Sequence, residues 1–193
     1  MKATHIFLIL AILLFQGCDG CCDDEIPFYG IGNKRSFIPY STGDTLIFLK
    51  NGTDTLSYEV EPTRLDTFVE KPYAHCPISK SEWLEIRIKG VGHENNFRIE
   101  FYSNVDSLLS VDMPKALYAN ILVDSTLAPL CKGSHPSIKQ TCLDSFTVSG
   151  KTFYDVISYT NLDQNSPDTL FYSPKYGILA VRFYGNEKFE RLW

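Results

Sequence analysis

Cysteine and histidine are the residue types here that could bind a metal or act as nucleophile or base, and the chain holds six and four of them. The cysteines are Cys18, Cys21, Cys22, Cys76, Cys131 and Cys142, and the histidines beyond the N-terminus are His75, His93 and His135. Zinc sites usually show two close pairs of ligands. Cys131 and His135 form only one loose pair, and the adjacent Cys21 and Cys22 are poorly placed to chelate one ion. We expect no metal and no cofactor.

The sequence matches none of the common catalytic or nucleotide-binding motifs in full. The segment SFTVSGKT (145–152) ends like a phosphate-binding loop, but Ser145 stands where that motif needs a glycine, and the following TFYDVISY resembles a strand rather than a helix. The GIG at 30–32 and GVG at 90–92 lack the third glycine of a dinucleotide site, and no Gly-x-Ser-x-Gly is present. Paired carboxylates for hydrolysis remain open, since acids are numerous.

Any such residues must be positioned by strands, because the hydrophobic period from about residue 37 onward is two. Leu84, Ile86 and Ile88 alternate with charged residues, and the same alternation recurs at 97–102 and 109–113. Such strands bury one face and expose the other to water, as in antiparallel sheets. We predict an all-β fold, an antiparallel meander of hairpins forming a sandwich or curved half-barrel with few or no helices.

Turn signals define the hairpins. Asn51-Gly52 suits a tight turn between strands 45–50 and 55–60, and Gly150 separates 144–149 from 153–160. The segment DMPKALYANILVD could begin a helix at Pro114 or form a strand, and we predict the strand, with Tyr118, Asn120 and Leu122 on one face. No linker divides 37–193, which we therefore treat as one domain.

The first residues form an export signal rather than a membrane span. After Lys2, an unbroken apolar run extends from Ile6 to Phe15, whereas a spanning helix needs about 20 residues. A basic start followed by a short apolar stretch that ends near small residues is typical of a secretory signal peptide.

The sequence LFQGC, ending at Cys18, resembles the lipobox of bacterial lipoproteins. In that family the peptide is cut before the cysteine, here after residue 17, and the cysteine carries a diacylglyceryl group and usually an N-acyl chain. Phe15 and Gln16 depart from the usual pattern, whereas Gly17 and Cys18 match it. The resemblance implies palmitate-type lipid attachment at Cys18 and partnership with a membrane, because two or three acyl chains hold a protein on a bilayer where one does not.

Residues 18–36 are acidic and lack a clean period, so we predict a flexible tether. Asp23, Asp24 and Glu25 resemble a run that, in some Gram-negative lipoproteins, directs sorting to the outer membrane or cell surface. The resemblance therefore implies the bacterial cell envelope, with the chain anchored in the outer membrane and facing the periplasm or the cell surface.

Export permits disulfides. Cys131 and Cys142 enclose KGSHPSIKQT, a polar loop with Gly and Pro, and we predict a disulfide between them that contributes about 2–3 kcal/mol. Cys76 could pair with Cys21 or Cys22, and this choice stays open.

The charge of the chain argues against binding to nucleic acid or to anionic lipid head groups. A net charge of −5 provides no electrostatic footprint for nucleic acid, and no basic cluster is present to bind anionic lipid heads. The segments YSTGDTLIFLKNGTDTLSYEV and FYSPKYGILAVRF resemble small β-rich lipoproteins of the Gram-negative envelope, which implies location but no ligand.

We expect a lipid-anchored, non-enzymatic module that binds a protein, glycan or lipid, with exposed aromatics such as Tyr184 or Trp193 available for recognition. The alternative is an exported hydrolase whose site is made of Asp, Glu or His on loops.

Overall fold

A computed structural model describes residues 26–70, 79–103, 108–114, 117–122, 131, 134–135, 138–162 and 168–193. The chain divides into two compact units. The first, Met1–Phe28 with Val69–Lys80, lies mostly outside the described residues. The second, Tyr29–Phe68 with Ser81–Trp193, contains most of the sheet and the core described below.

Strands dominate the described residues, together with short 3-10 helices at Gly32–Phe37 and Tyr184–Asn186. The strands are Phe28–Tyr29 (β1), Thr45–Lys50 (β2), Asp54–Val60 (β3), Arg64–Glu70 (β4), Ser79–Gly90 (β5), Phe97–Tyr102 (β6), Leu108–Met113 (β7), Leu117–Leu122 (β8), Ser134–His135 (β9), Ile138–Val148 (β10), Lys151–Asn161 (β11), Asp168–Ser173 (β12), Gly177–Arg182 (β13) and Lys188–Leu192 (β14). The described residues contain no helix long and apolar enough to cross a bilayer.

The strands form one sheet, in the order β8-β7-β6-β5-β3-β2-β14-β13-β12-β11-β10-β9, and β1 and β4 also pair with β5. Every ladder along this path is antiparallel. The last strand, β14, lies between β2 and β13, so it joins the first hairpin to the C-terminal meander. The predicted all-β antiparallel fold is confirmed, as one sheet that curves until β8 contacts β11.

The predicted alternation of buried and exposed residues is confirmed in β5, β6 and β7. Leu84, Ile86 and Ile88 of β5 are buried, as are the inward residues of β6 and β7. Aromatic rings fill much of the interior: Phe48 lies 5.4 Å from Tyr58 and 5.6 Å from Phe97, centroid to centroid. Such pairs contribute about 0.5–1.5 kcal/mol beyond their buried area.

The predicted turns are confirmed at both hairpins. Asn51 and Gly52 have φ of 53° and 79°, and Ser149 and Gly150 have 48° and 76°. Positive φ at both central residues matches the twist of a tight hairpin. The SGKT segment is therefore a turn followed by strand β11. This agrees with the prediction that a strand, and not the helix of a phosphate-binding loop, follows it.

Segment 117–122 is a strand, as predicted. Its buried residues among those described are Ala119 and Ile121, which alternate in sequence with Tyr118, Asn120 and Leu122. Successive residues of a strand point to opposite faces. This segment has apolar residues at both odd and even positions, so its sequence alone does not show which face is buried.

The predicted tether ends earlier than residue 36. Tyr29 belongs to β1, and Ile31 is 5% exposed and packs into the core. Glu82 accepts a hydrogen bond from the Ile31 amide at 2.7 Å. A short 3-10 helix has no 3.6-residue period to reveal it, so the absence of a period in residues 28–36 did not indicate a tether.

Candidate functional site

Three aromatic rings and three basic side chains gather where β14 ends, and we call them the aromatic–cation cluster. Its members are Lys151, Phe153, Lys175, Tyr176, Arg191 and Trp193. Lys151 and Phe153 begin β11, directly after the Ser149–Gly150 turn. Lys175 and Tyr176 lie in the turn between β12 and β13, where the Tyr176 amide donates to the Ser173 carbonyl at 3.2 Å. The residue Trp193 follows β14.

The rings stand at steep angles to one another. Phe153 and Tyr176 have centroids 5.2 Å apart and planes at 73°, and Tyr176 and Trp193 are 5.6 Å apart at 82°. Phe153 lies 4.8 Å from Trp193. Phe153 is buried, Tyr176 half-buried, and Trp193 is 48% exposed. The cluster thus presents the Trp193 ring to solvent from a fixed aromatic base.

Cations lie over these rings. The Lys151 ammonium is 4.7 Å from the Trp193 centroid and 5.5 Å from that of Phe153. The Arg191 guanidinium is 4.1 Å from the Trp193 centroid, and the Lys175 ammonium is 5.2 Å from that of Tyr176. Within about 6 Å such contacts are attractive, by about 0.5–1 kcal/mol at exposed sites.

None of these three cations forms an ion pair with a carboxylate of the described residues. Six other basic side chains do: Lys50, Arg64, Arg87, Lys89, Arg98 and Lys188. Arg191 instead donates a hydrogen bond to the Tyr176 carbonyl, and burial lowers its pKa. The cluster is therefore a local excess of positive charge in an acidic protein.

A second candidate is a groove of about 330 Å³ on the outer face of β5, β6 and β7. Cross-strand register places Arg87 opposite Arg98 and Glu85 opposite Glu100. Asp112 of β7 faces Arg98 and accepts two hydrogen bonds from its guanidinium. This bond to Asp112 raises the pKa of Arg98.

This groove does not provide the free carboxylates that a hydrolase would need. Its acidic side chains are Glu61 and Asp112. Lys89 lies 3.9 Å from Glu61, and Arg98 binds Asp112. Each of the two acidic side chains that line the groove is thus held in an ion pair with a basic side chain.

The histidines add no catalytic arrangement among the described residues. The His93 ring packs edge-on against Tyr58, 4.8 Å between centroids, and its Nε2 lies 3.1 Å from the Ser57 carbonyl oxygen. His75 and the side chain of His135 lie outside the described residues. No group of three or more His, Cys, Asp or Glu side chains in the described part of the chain could hold a metal ion.

Cys131 and Cys142 form a disulfide, with Cα atoms 5.0 Å apart. Cys18, Cys21, Cys22 and Cys76 lie outside the described residues, as do residues 23–25 and the side chain of Tyr184. The lipid attachment at Cys18 therefore stays a prediction.

Sequence reasoning singled out only Trp193 from the cluster. Alternation along β11 places Lys151 and Phe153 on one face, but nothing local connects them to Tyr176 or Arg191. No protein-family model matches the chain, and neither a search of curated proteins nor one of solved structures found a match.

Proposed function

We propose that the protein is a lipid-anchored, non-enzymatic lipoprotein of the bacterial envelope, and that the aromatic–cation cluster is its ligand-binding site. The signal segment and the lipobox-like residues before Cys18 support the anchor. The cluster carries the binding proposal, since it joins a half-exposed tryptophan to cations that lack carboxylate partners. The hydrolase alternative has no comparable observation in its favour.

The chemistry of the cluster fits an acidic saccharide. The axial C–H groups of a pyranose ring form an apolar face, which would pack on the Trp193 ring. A carboxylate or sulfate on the sugar would meet Lys151 and Lys175, whose charges no acid of the described residues neutralises. Hydrogen bonds between charged partners are about twice as strong as neutral ones.

Binding to a uronic-acid oligosaccharide tests this proposal. Full-length protein, purified in detergent from membranes of a Gram-negative host, is titrated by isothermal titration calorimetry. We expect saturable binding that weakens with salt, and little binding of the carboxyl-reduced, neutral oligosaccharide. Trp193→Ala and Lys151→Gln should each weaken binding by about tenfold, which corresponds to about 1.4 kcal/mol.

The chain offers a matched control because it contains two tryptophans. Trp83 lies on the outer face of β5 beneath Arg64, whose guanidinium is 5.4 Å from its ring. Trp83→Ala should leave binding unchanged. Equal loss in both tryptophan variants, or no difference between acidic and neutral sugars, would refute the assigned site.

The anchor is tested separately at Cys18. Cys18→Ser should abolish incorporation of labelled fatty acid and leave an uncut precursor. Cys21→Ser, three residues further on, should mature and be labelled normally. Normal maturation of Cys18→Ser would refute the lipoprotein assignment without touching the binding site.

A further inference from the structure

Among the described residues, the strand β4 pairs with β5 and with no other strand, so its second edge has no described partner. It is seven residues long, RLDTFVE. An unpaired edge presents free backbone N–H and C=O groups and is a template for another strand.

This edge also exposes apolar side chains. Leu65 is 58% exposed and Val69 is 40% exposed, and Thr67 between them is exposed too. The three alternate along the strand and so share one face. No described segment covers that face.

The sequence of β4 is complementary to itself in the one register that pairs all seven residues of the strand. A two-fold axis perpendicular to a sheet keeps each face on its own side, so opposing residues must have the same parity. Centring the axis on Thr67 sets Leu65 opposite Val69 and Arg64 opposite Glu70 of the second copy. Centring it on Asp66 would oppose that acid to itself, and centring it on Phe68 would oppose Asp66 to Glu70.

We propose that β4 pairs antiparallel with β4 of a second copy of this chain, with the two-fold axis at Thr67. Threonine pairs and opposite-charge pairs directly across two strands stabilise a sheet. The contact is isologous, so it closes as a dimer. A single pair of short strands buries less than the roughly 1,200 Å² of a standard interface, so the dimer forms reversibly and depends on concentration.

Cysteine trapping tests the register. Directly opposed antiparallel residues have Cα atoms about 4.5–5.5 Å apart, which a disulfide can bridge. In membranes of a Gram-negative host expressing the full chain, mild oxidation of Thr67→Cys should yield a disulfide-linked dimer on a non-reducing gel. Mass spectrometry should identify a linkage between the two residues at position 67.

Thr53→Cys, in the exposed turn between β2 and β3, is the control for random collision and should give at least fivefold less dimer. Leu65→Lys, added to Thr67→Cys, should reduce trapping at least threefold, and Val69→Glu on the same chain should restore it. Because these positions are exposed, the variants should fold. Trapping no greater than in Thr53→Cys, or unaffected by Leu65→Lys, would overturn the proposal. It does not depend on the ligand site.

Discussion

The hydroxyl of Tyr40 fills the space beside Gly177. It accepts a hydrogen bond from the Ile178 amide at 2.5 Å, and both Tyr40 and Ile178 are buried. A Cβ on residue 177 would overlap the Tyr40 ring. This contact attaches the segment before β2 to the start of β13, 138 residues away in sequence.

Gly177→Ala should therefore destabilise the protein by more than a backbone effect alone. Gly177 has φ of 78°, and alanine at positive φ costs about 1 kcal/mol. Displacing Tyr40 adds to this, for a total of about 2–4 kcal/mol. Gly52→Ala is the matched control, because φ is 79° there and a Cβ on residue 52 would meet nothing within 4 Å. Equal losses of unfolding free energy in urea would contradict the contact.

The free energy of unfolding should depend on the ionisation of Tyr40 at alkaline pH. Burial raises the pKa of Tyr40 to about 12, whereas an unfolded tyrosine ionises near pH 10. The unfolded state thus loses its proton first, so stability is intact below pH 10 and falls as pH rises towards 12. For Tyr40 alone this amounts to about 2–3 kcal/mol. Burial also raises the pKa values of Tyr58 and Tyr172.

Tyr40→Phe separates these contributions. It should cost about 1–3 kcal/mol at neutral pH, because the buried Ile178 amide loses its acceptor. It should also flatten the decline in unfolding free energy between pH 10 and 12. An unchanged alkaline slope in this variant would show that Tyr40 does not carry it.

Removing Arg98 should destabilise the folded protein, because its side chain forms ion pairs on the outer face of β6 and β7. Arg98→Met leaves Asp112 and Glu100 without their partner, and Glu100 then faces Glu85 directly. We expect a loss of about 0.5–1.5 kcal/mol, since the side chain is 47% exposed and solvent screens it. The loss should shrink at about 1 M salt.

Lys188→Met is the control for Arg98→Met. Its ion pair with Glu190 joins two residues of one strand, so urea unfolding should show no measurable change. A comparable loss in both variants would mean that the cross-strand geometry adds nothing.

The disulfide should stabilise the domain through its closed loop. Cys131 and Cys142 are 11 positions apart in sequence, and a loop of this size corresponds to about 2–3 kcal/mol. Replacing both with alanine should lower the melting temperature, and reductant should lower that of the unmodified protein equally. A further drop when reductant is added to the double variant would report a second disulfide, such as Cys76 with Cys21 or Cys22.

Local features were predictable because their causes are local. Asn51 and Gly52 form their turn through backbone preferences of two residues, and Leu84, Ile86 and Ile88 reveal their buried face by alternation. The segment from Ile31 to Tyr40 was not predictable. It carries no hydrophobic period. Its side chains Ile31, Phe37, Ile38 and Tyr40 are buried because they pack against the sheet, and the local sequence does not specify that contact.

The sequence by itself determined the strand pattern, the tight turns and the cysteine pair. The tertiary structure decided that β14 lies between β2 and β13, which brings Trp193 and Arg191 to Lys151 and Tyr176, and that β4 pairs with β5 alone among the described strands. The reason is physical. Turns and alternation depend on neighbours in the chain, whereas strand order depends on which distant pairings bury the most apolar surface for their loop-closure cost.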